Sequence, residues 1–141
     1  MLSELIYASE VRDDLGTTEV KEILAVSQRN NARDRVTGAL IFNSRYFLQW
    51  LEGERADVTR VYNRIAADNR HTKAVILCYQ DAVCRQFPNW SMGYMGEGVI
   101  NRELLFKYSS GDAFAPHAMS APSARAFMLE VEAASMKLSG S

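Results

Sequence analysis

The sequence predicts an α+β fold in which two helices cover one face of a β-sheet. Three observations carry this. Apolar runs of strand type alternate with segments of helical period in the order βαββαβ, followed by a short edge strand. Two of the runs are joined only by Asn43-Ser44-Arg45, a hairpin signal. The other connections pass through helices, which imposes right-handed crossovers, and two such units make a ferredoxin-like βαββαββ sandwich.

The elements follow in order. Leu5-Ile6-Tyr7-Ala8-Ser9 opens the chain as a short apolar strand. Asp13-Asp14-Leu15-Gly16-Thr17 reads as a loop. Thr17 or Thr18 caps a helix to about Asn31, with Val20, Ile23, Leu24 and Ser27 near helical spacing. A capping box is missing, because Lys21 stands three residues after Thr18. Val36 to Phe42 and Tyr46 to Leu51 are the hairpin strands. Asp57 to Ala67 is a second helix whose Val58, Val61, Tyr62 and Ile65 make one apolar stripe. Ala74 to Tyr79 is a continuous apolar run and predicts a buried strand. Phe87-Pro88-Asn89 is a turn, and Trp90-Ser91-Met92 reads as a short final strand.

In the second hairpin strand Phe47, Gln49 and Leu51 point one way, and Leu48 and Trp50 the other. The face away from the helices is therefore apolar and requires a cover. The tail supplies a candidate. Glu103 to Tyr108 is weakly helical, and Gly111 to Ala121 is a linker. Ser120 or Ser123 caps a longer helix with Pro122 near its first turn, and Phe127, Val131, Ala134 and Leu138 form its stripe. Either this tail or a second subunit covers the sheet.

At 141 residues the chain has room for one domain with a short appendage. Sixteen Lys and Arg against 17 Asp and Glu give a net charge of −1, which argues against a dedicated nucleic-acid binder. Hydrophobic residues at 48% and charged residues at 23% are ordinary for a globular domain. No apolar stretch is long enough to span a membrane, and the N-terminus lacks a secretory signal. Cys78 and Cys84 fit neither a metal motif nor a disulfide framework, so a reducing cytoplasm is expected.

Gln49 is the most informative position. A primary amide inside an apolar strand needs partners for its donors and acceptor, or its burial is costly. Tyr7 lies on the strand expected beside it, so the two can be neighbours. Asn30 and Asn31 end the first helix; one suits a C-cap, and the other is left free to read a planar ligand edge. Arg64 and Asp68, four apart, share a helix face as a surface ion pair. Asp68-Asn69-Arg70-His71 is a solvated turn or an anion site. Neither His71 nor His117 has a spaced metal partner, and no Walker A, G-x-G-x-x-G or G-x-S-x-G string occurs.

Several of these strings together resemble the BLUF family of blue-light sensors: Leu5-Ile6-Tyr7-Ala8-Ser9, Asn30-Asn31, Val36-Thr37-Gly38-Ala39-Leu40 and Phe47-Leu48-Gln49-Trp50-Leu51-Glu52-Gly53. Asp68-Asn69-Arg70-His71 resembles the family's Asp-Pro-Arg-His, with Asn in place of Pro. Arg85-Gln86-Phe87-Pro88-Asn89-Trp90-Ser91-Met92-Gly93 resembles its Arg-x-Phe-x-x-Trp-Ser-Met-Gly. The likeness divides the chain into a flavin-binding domain at 1–96 and a helical extension at 97–141 packing on the open sheet face.

The resemblance implies non-covalent FAD between the two helices. It makes Tyr7 the electron and proton donor, and Gln49 the bridge from Tyr7 to the flavin edge. Asn31, with Asn30 and Ser27 nearby, would bond that edge. Arg64 and Asp68 would meet the pyrimidine side, and Arg70 and His71 that side or the phosphates. Ile23, Leu24 and Ile65 would be apolar walls. Trp90 and Met92 would shift when Gln49 rearranges. It implies a photosensory protein with no enzymatic effector in this chain, signalling to a separate, unidentified partner, with a homodimer left open and no nucleic acid or membrane involved. Two other readings use the same fold. An acylphosphatase-like hydrolase requires an Arg in a phosphate-cradling loop; Arg12 is in such a loop without a glycine-rich cradle. An RNA-recognition module requires open-face aromatics such as Trp50 and Tyr46, and a basic surface.

Overall fold

The structure is a computed structural model that describes residues 1–12, 16–43, 45–96 and 98–138. Asp13, Asp14 and Leu15 of the expected loop, and Ser44 of the hairpin turn, lie outside the described residues, as does the side chain of Leu138. The elements are β1 (Leu2–Val11), α1 (Thr17–Asp34), β2 (Thr37–Phe42), β3 (Tyr46–Glu54), α2 (Arg55–Ala66), β4 (His71–Asp81), β5 (Gly93–Tyr94), α3 (Arg102–Tyr108), a 3-10 turn (Pro116–Ala118) and α4 (Ala121–Leu138). The sheet order is β4-β1-β3-β2-β5, antiparallel except where β5 joins β2. This is the ferredoxin-like α+β arrangement, with helices after β1 and β3.

Strand alternation splits the core into two layers. Leu5, Tyr7, Leu40, Phe47 and Leu51 face Val20 of α1 and Val58 and Val61 of α2. Ile6, Ala8, Ile41, Leu48 and Trp50 form the other cluster with Leu104, Leu105, Met119, Ala124, Phe127, Met128 and Val131. The buried stripe of α4 is therefore Ala124, Phe127, Met128 and Val131, while Ala134 is only half-buried. Ser120 begins this helix, its Oγ accepting the Ser123 N–H at 3.1 Å. The expected linker is itself packed. Phe114 approaches Phe127, and His117 Nε2 lies 2.7 Å from the Lys73 carbonyl oxygen.

Four local expectations are corrected. Gly16 is the N-cap of α1, and Glu19 Oε2 accepts its N–H at 2.9 Å, so half of a capping box exists once the count starts from Gly16. The same helix runs past Asn30 and Asn31 to Asp34, and Arg35 caps it in the left-handed region at φ 58°. Neither asparagine is a C-cap. The Ala74–Tyr79 run is an edge strand rather than a buried one: Val75 and Ile76 are 45% and 44% exposed. Its apolar side chains have a sheet neighbour on one side only, and register shifts against β1 mark bulges that blunt the edge. Residues 90–92 form no strand; pairing with β2 begins at Gly93. The chain turns sharply there, since a Cβ on Gly93 would stand 2.2 Å from the Trp90 ring.

Candidate functional site

β1 and β3 pair so that Tyr7 stands directly opposite Gln49. Both side chains rise toward the helices, at 2% and 4% exposure. The Tyr7 hydroxyl donates to Gln49 Oε1, and Gln49 Nε2 donates to Met92 Sδ at 3.1 Å. These bonds fix which end of the amide faces which neighbour. Burial pushes the Tyr7 phenol pKa up, and Tyr62 and Asp68 add to it, so Tyr7 is held protonated. Tyr62 meets the Tyr7 ring edge-on at 5.4 Å.

This pair floors a cleft of about 700 Å3, mouth included, between α1 and α2. The α1 side contributes Ile23, Leu24, Val26, Ser27 and Asn30. Arg64, Ile65, Asp68, Arg70 and His71 form the other side, and Met92 closes the floor. The expected Arg64–Asp68 ion pair is not formed. α2 ends at Ala66, so Asp68 leaves the helix and is gripped by Arg70, whose Nε lies 3.0 Å from Oδ1. Arg64 turns to Asp34 at 3.1 Å. The Arg70 hydrogen bonds hold the Asp68 carboxyl below the usual range. For Asp34, burial opposes ionisation, but the Arg64 bond and nearby Arg33 and Arg60 outweigh it. Burial lowers the His71 pKa, with Asp68 opposing and Arg70 assisting; its Nδ1 lies 3.0 Å from Ser9 Oγ.

Two expected residues stand off the cleft wall. Asn31 is buried beside it at 2% exposure, and its Nδ2 has no hydrogen-bond partner among the described residues. Trp90 points elsewhere, stacked on Phe87 at 5.6 Å. Sequence reasoning missed Val26, Leu40 and Phe47 in the lining, and Gln28, which donates to the Met92 carbonyl at 2.9 Å. Gln28 stands three before Asn31 on α1, so helical spacing places them on one face. Leu40 and Phe47 carried the strand-parity signal of Gln49. The residues present fit a flavin ring: apolar side walls, an amide and phenol at the floor, and an unsatisfied buried amide donor on α1.

The model of the BLUF family, sensors of blue light using FAD, matches residues 2–93. The blue light- and temperature-regulated antirepressor BluF of Escherichia coli is 39% identical over 87 residues, 62% of this chain and 22% of that protein. Photoactivated adenylate cyclase subunit beta of Euglena gracilis is 29% identical over 70% of this chain and 12% of its own length. The chain thus spans less than a quarter of these curated relatives. Two solved structures match along nearly their whole length. The photo-activated state of BlsA has a TM-score of 0.85 at 25% identity, covering 93% of this chain and 94% of that one. The dark state of BlrB, a BLUF protein, has a TM-score of 0.74 at 29% identity, covering 95% and 96%. From the family match over residues 2–93 and the shared architecture, the chain belongs to the BLUF family of blue-light sensors.

Proposed function

We propose that Tyr7, Gln49 and Met92 form the photochemical switch of this blue-light sensor, and that FAD fills the cleft above them. The observation that carries the reading is the buried Gln49 amide, whose acceptor end meets Tyr7 and whose donor end meets, among the described residues, a thioether. Sulfur is a weak acceptor, so that bond is readily exchanged. Bound flavin supplies blue-light absorption and redox chemistry. Tyr7 holds a transferable proton at its hydroxyl, aimed at Gln49 Oε1. A half-turn of the Gln49 amide swaps its donor and acceptor ends, and with them the bonds it offers to Tyr7, Met92 and the flavin edge.

Asn31 would hold the polar edge of the ring with the donor it leaves unpaired, supported by Asn30 and Ser27. Ile23, Leu24 and Ile65 would clamp the ring faces. Arg64, Asp68, Arg70 and His71 would meet the pyrimidine side and phosphates, and Trp90 and Met92 would carry the change toward β5. FAD is the flavin that the family description names. Residues 1–96 act as the sensing unit, with 97–141 as a helical extension over the opposite sheet face. The output passes to a separate partner in a cytoplasmic setting, in keeping with two free cysteines. An RNA-recognition surface is disfavoured, because Trp50 lies fully buried among α4 side chains.

Absorption spectra of the purified protein before and after blue light test the reading. A flavin band that shifts reversibly to the red supports it. A protein without flavin, or a band unmoved by light, would overturn it.

A further inference from the structure

We propose that Gln28 is a positioning residue that sets the resting orientation of the Gln49 amide by holding Met92 with its sulfur toward the cleft; this rests on the reading of Tyr7, Gln49 and Met92 given above. Met92 lies just before the β5 ladder, which starts at Gly93. The segment leading to it is pinned at discrete points. The Glu52 carboxylate accepts the Gln86 and Phe87 N–H groups at 2.8 and 2.7 Å, and the Trp90 carbonyl accepts the Gly38 N–H at 3.0 Å. The Met92 carbonyl is held from α1, by Gln28 Nε2 at 2.9 Å.

Methionine is unbranched and flexible, so its sulfur has a defined place only if its backbone does. With the carbonyl held, Sδ lies 3.1 Å from Gln49 Nε2 and selects the amide orientation that donates to it. The competing occupant is on the same segment. Trp90 stands two residues earlier on the same non-strand segment, its ring now stacked on Phe87. A two-residue slip would bring Trp90 toward the place of Met92. An indole N–H only donates, so it would demand the carbonyl end of Gln49 and reverse the amide. The Gln28 bond opposes that slip at the residue that would move, and it does so from the helix that carries Ser27, Asn30 and Asn31.

The chain has two tryptophans, so incorporated 5-fluorotryptophan reads the equilibrium directly by fluorine NMR. Trp50 is fully buried, and a dispersed Trp50 resonance checks that the fold is intact; Trp90 is the reporter. Spectra are recorded in darkness, with and without flavin. Gln28→Ala should move or split the Trp90 resonance, with the inward population up about three- to tenfold, the effect of one lost hydrogen bond. Gln28→Glu keeps the shape but loses the donor, and should do the same. A Trp90 resonance unchanged from wild type in either variant, with Trp50 in place, would overturn the proposal. A wild-type protein whose flavin band ignores light would instead overturn the photochemical reading, and these dark spectra would remain interpretable.

Discussion

Tyr7 is a phenol sealed into an apolar floor, with one amide oxygen to bond to. Replacing it with Phe should abolish the light-induced red shift while flavin stays bound, checked by absorption before and after illumination. The ring remains, so the folding cost is that of an unpaired Gln49 acceptor, about 1–3 kcal/mol. Gln49→Leu should abolish the shift as well, since no amide is left to turn. Asn31 matters more for flavin retention than for folding. Its Nδ2 is buried and unpaired without flavin, so Asn31→Ala should cost the flavin-free protein little. Flavin retention should fall by about 1–3 kcal/mol, read as flavin content and affinity after purification. His71 gives a pH dependence. Its pKa is pushed below the ordinary 6.5 by burial, so the unfolded chain binds a proton more readily. Stability is therefore full above about pH 6.5 and falls as pH drops below it. His71→Gln should flatten the decline of Tm between about pH 7 and pH 5.5.

Among the elements, α4 is tied to the sheet by more than apolar contact. Glu4 of β1 is 1% exposed and accepts Arg125 Nε at 2.6 Å and Gln80 Nε2 at 2.9 Å. The Arg125 guanidinium lies 5.0 Å over the Trp50 ring, whose Nε1 has no hydrogen-bond partner among the described residues. Trp50 follows Gln49 in β3, so this clasp sits directly behind the Tyr7–Gln49 pair. Arg125→Met should cost about 2–3 kcal/mol, less than the 3–5 for breaking a fully buried pair because Arg125 is partly exposed. Adding Glu4→Gln should recover part of that loss, since the stranded charge is removed. Urea unfolding of the single and double variants checks both.

Across the whole molecule, one sheet separates two cores. The helix side holds Tyr7, Gln49 and Met92, and the opposite side is closed by α3, the 3-10 turn and α4. The sheet joins them through adjacent residues such as Gln49 and Trp50 that face opposite ways, and the 87–95 segment does so as well, with Phe87 and Met95 in one core and Met92 in the other. Ending the chain near residue 97 should leave the photocycle largely intact but expose Ile41, Leu48 and Trp50, promoting aggregation or dimerisation visible by size exclusion. Hydrogen exchange in dark and light should show changed protection within residues 98–138. Identical protection in both states would make the tail a passive cover.

The alternating strands, the hairpin, the α2 stripe and the pairing of Tyr7 with Gln49 were legible in the sequence, because side-chain period and strand parity are local properties of the chain. So was the apolar second face that Leu48 and Trp50 announce. The position of β4 was not legible: an apolar run looks alike at the edge and the centre of a sheet, and only its neighbours differ. Nor were the partners of Arg64 and Asp68, because α2 stops at Ala66, which takes Asp68 off the helix face to Arg70 and leaves Arg64 to reach Asp34 of α1. Met92 beneath Gln49, Gln28 above Met92 and Arg125 on Glu4 join residues 43, 64 and 121 positions apart. The sequence by itself determined which residue types face the cleft. Which of them meet was decided by tertiary structure, since hydrogen bonds depend on a few tenths of an ångström that no periodicity encodes.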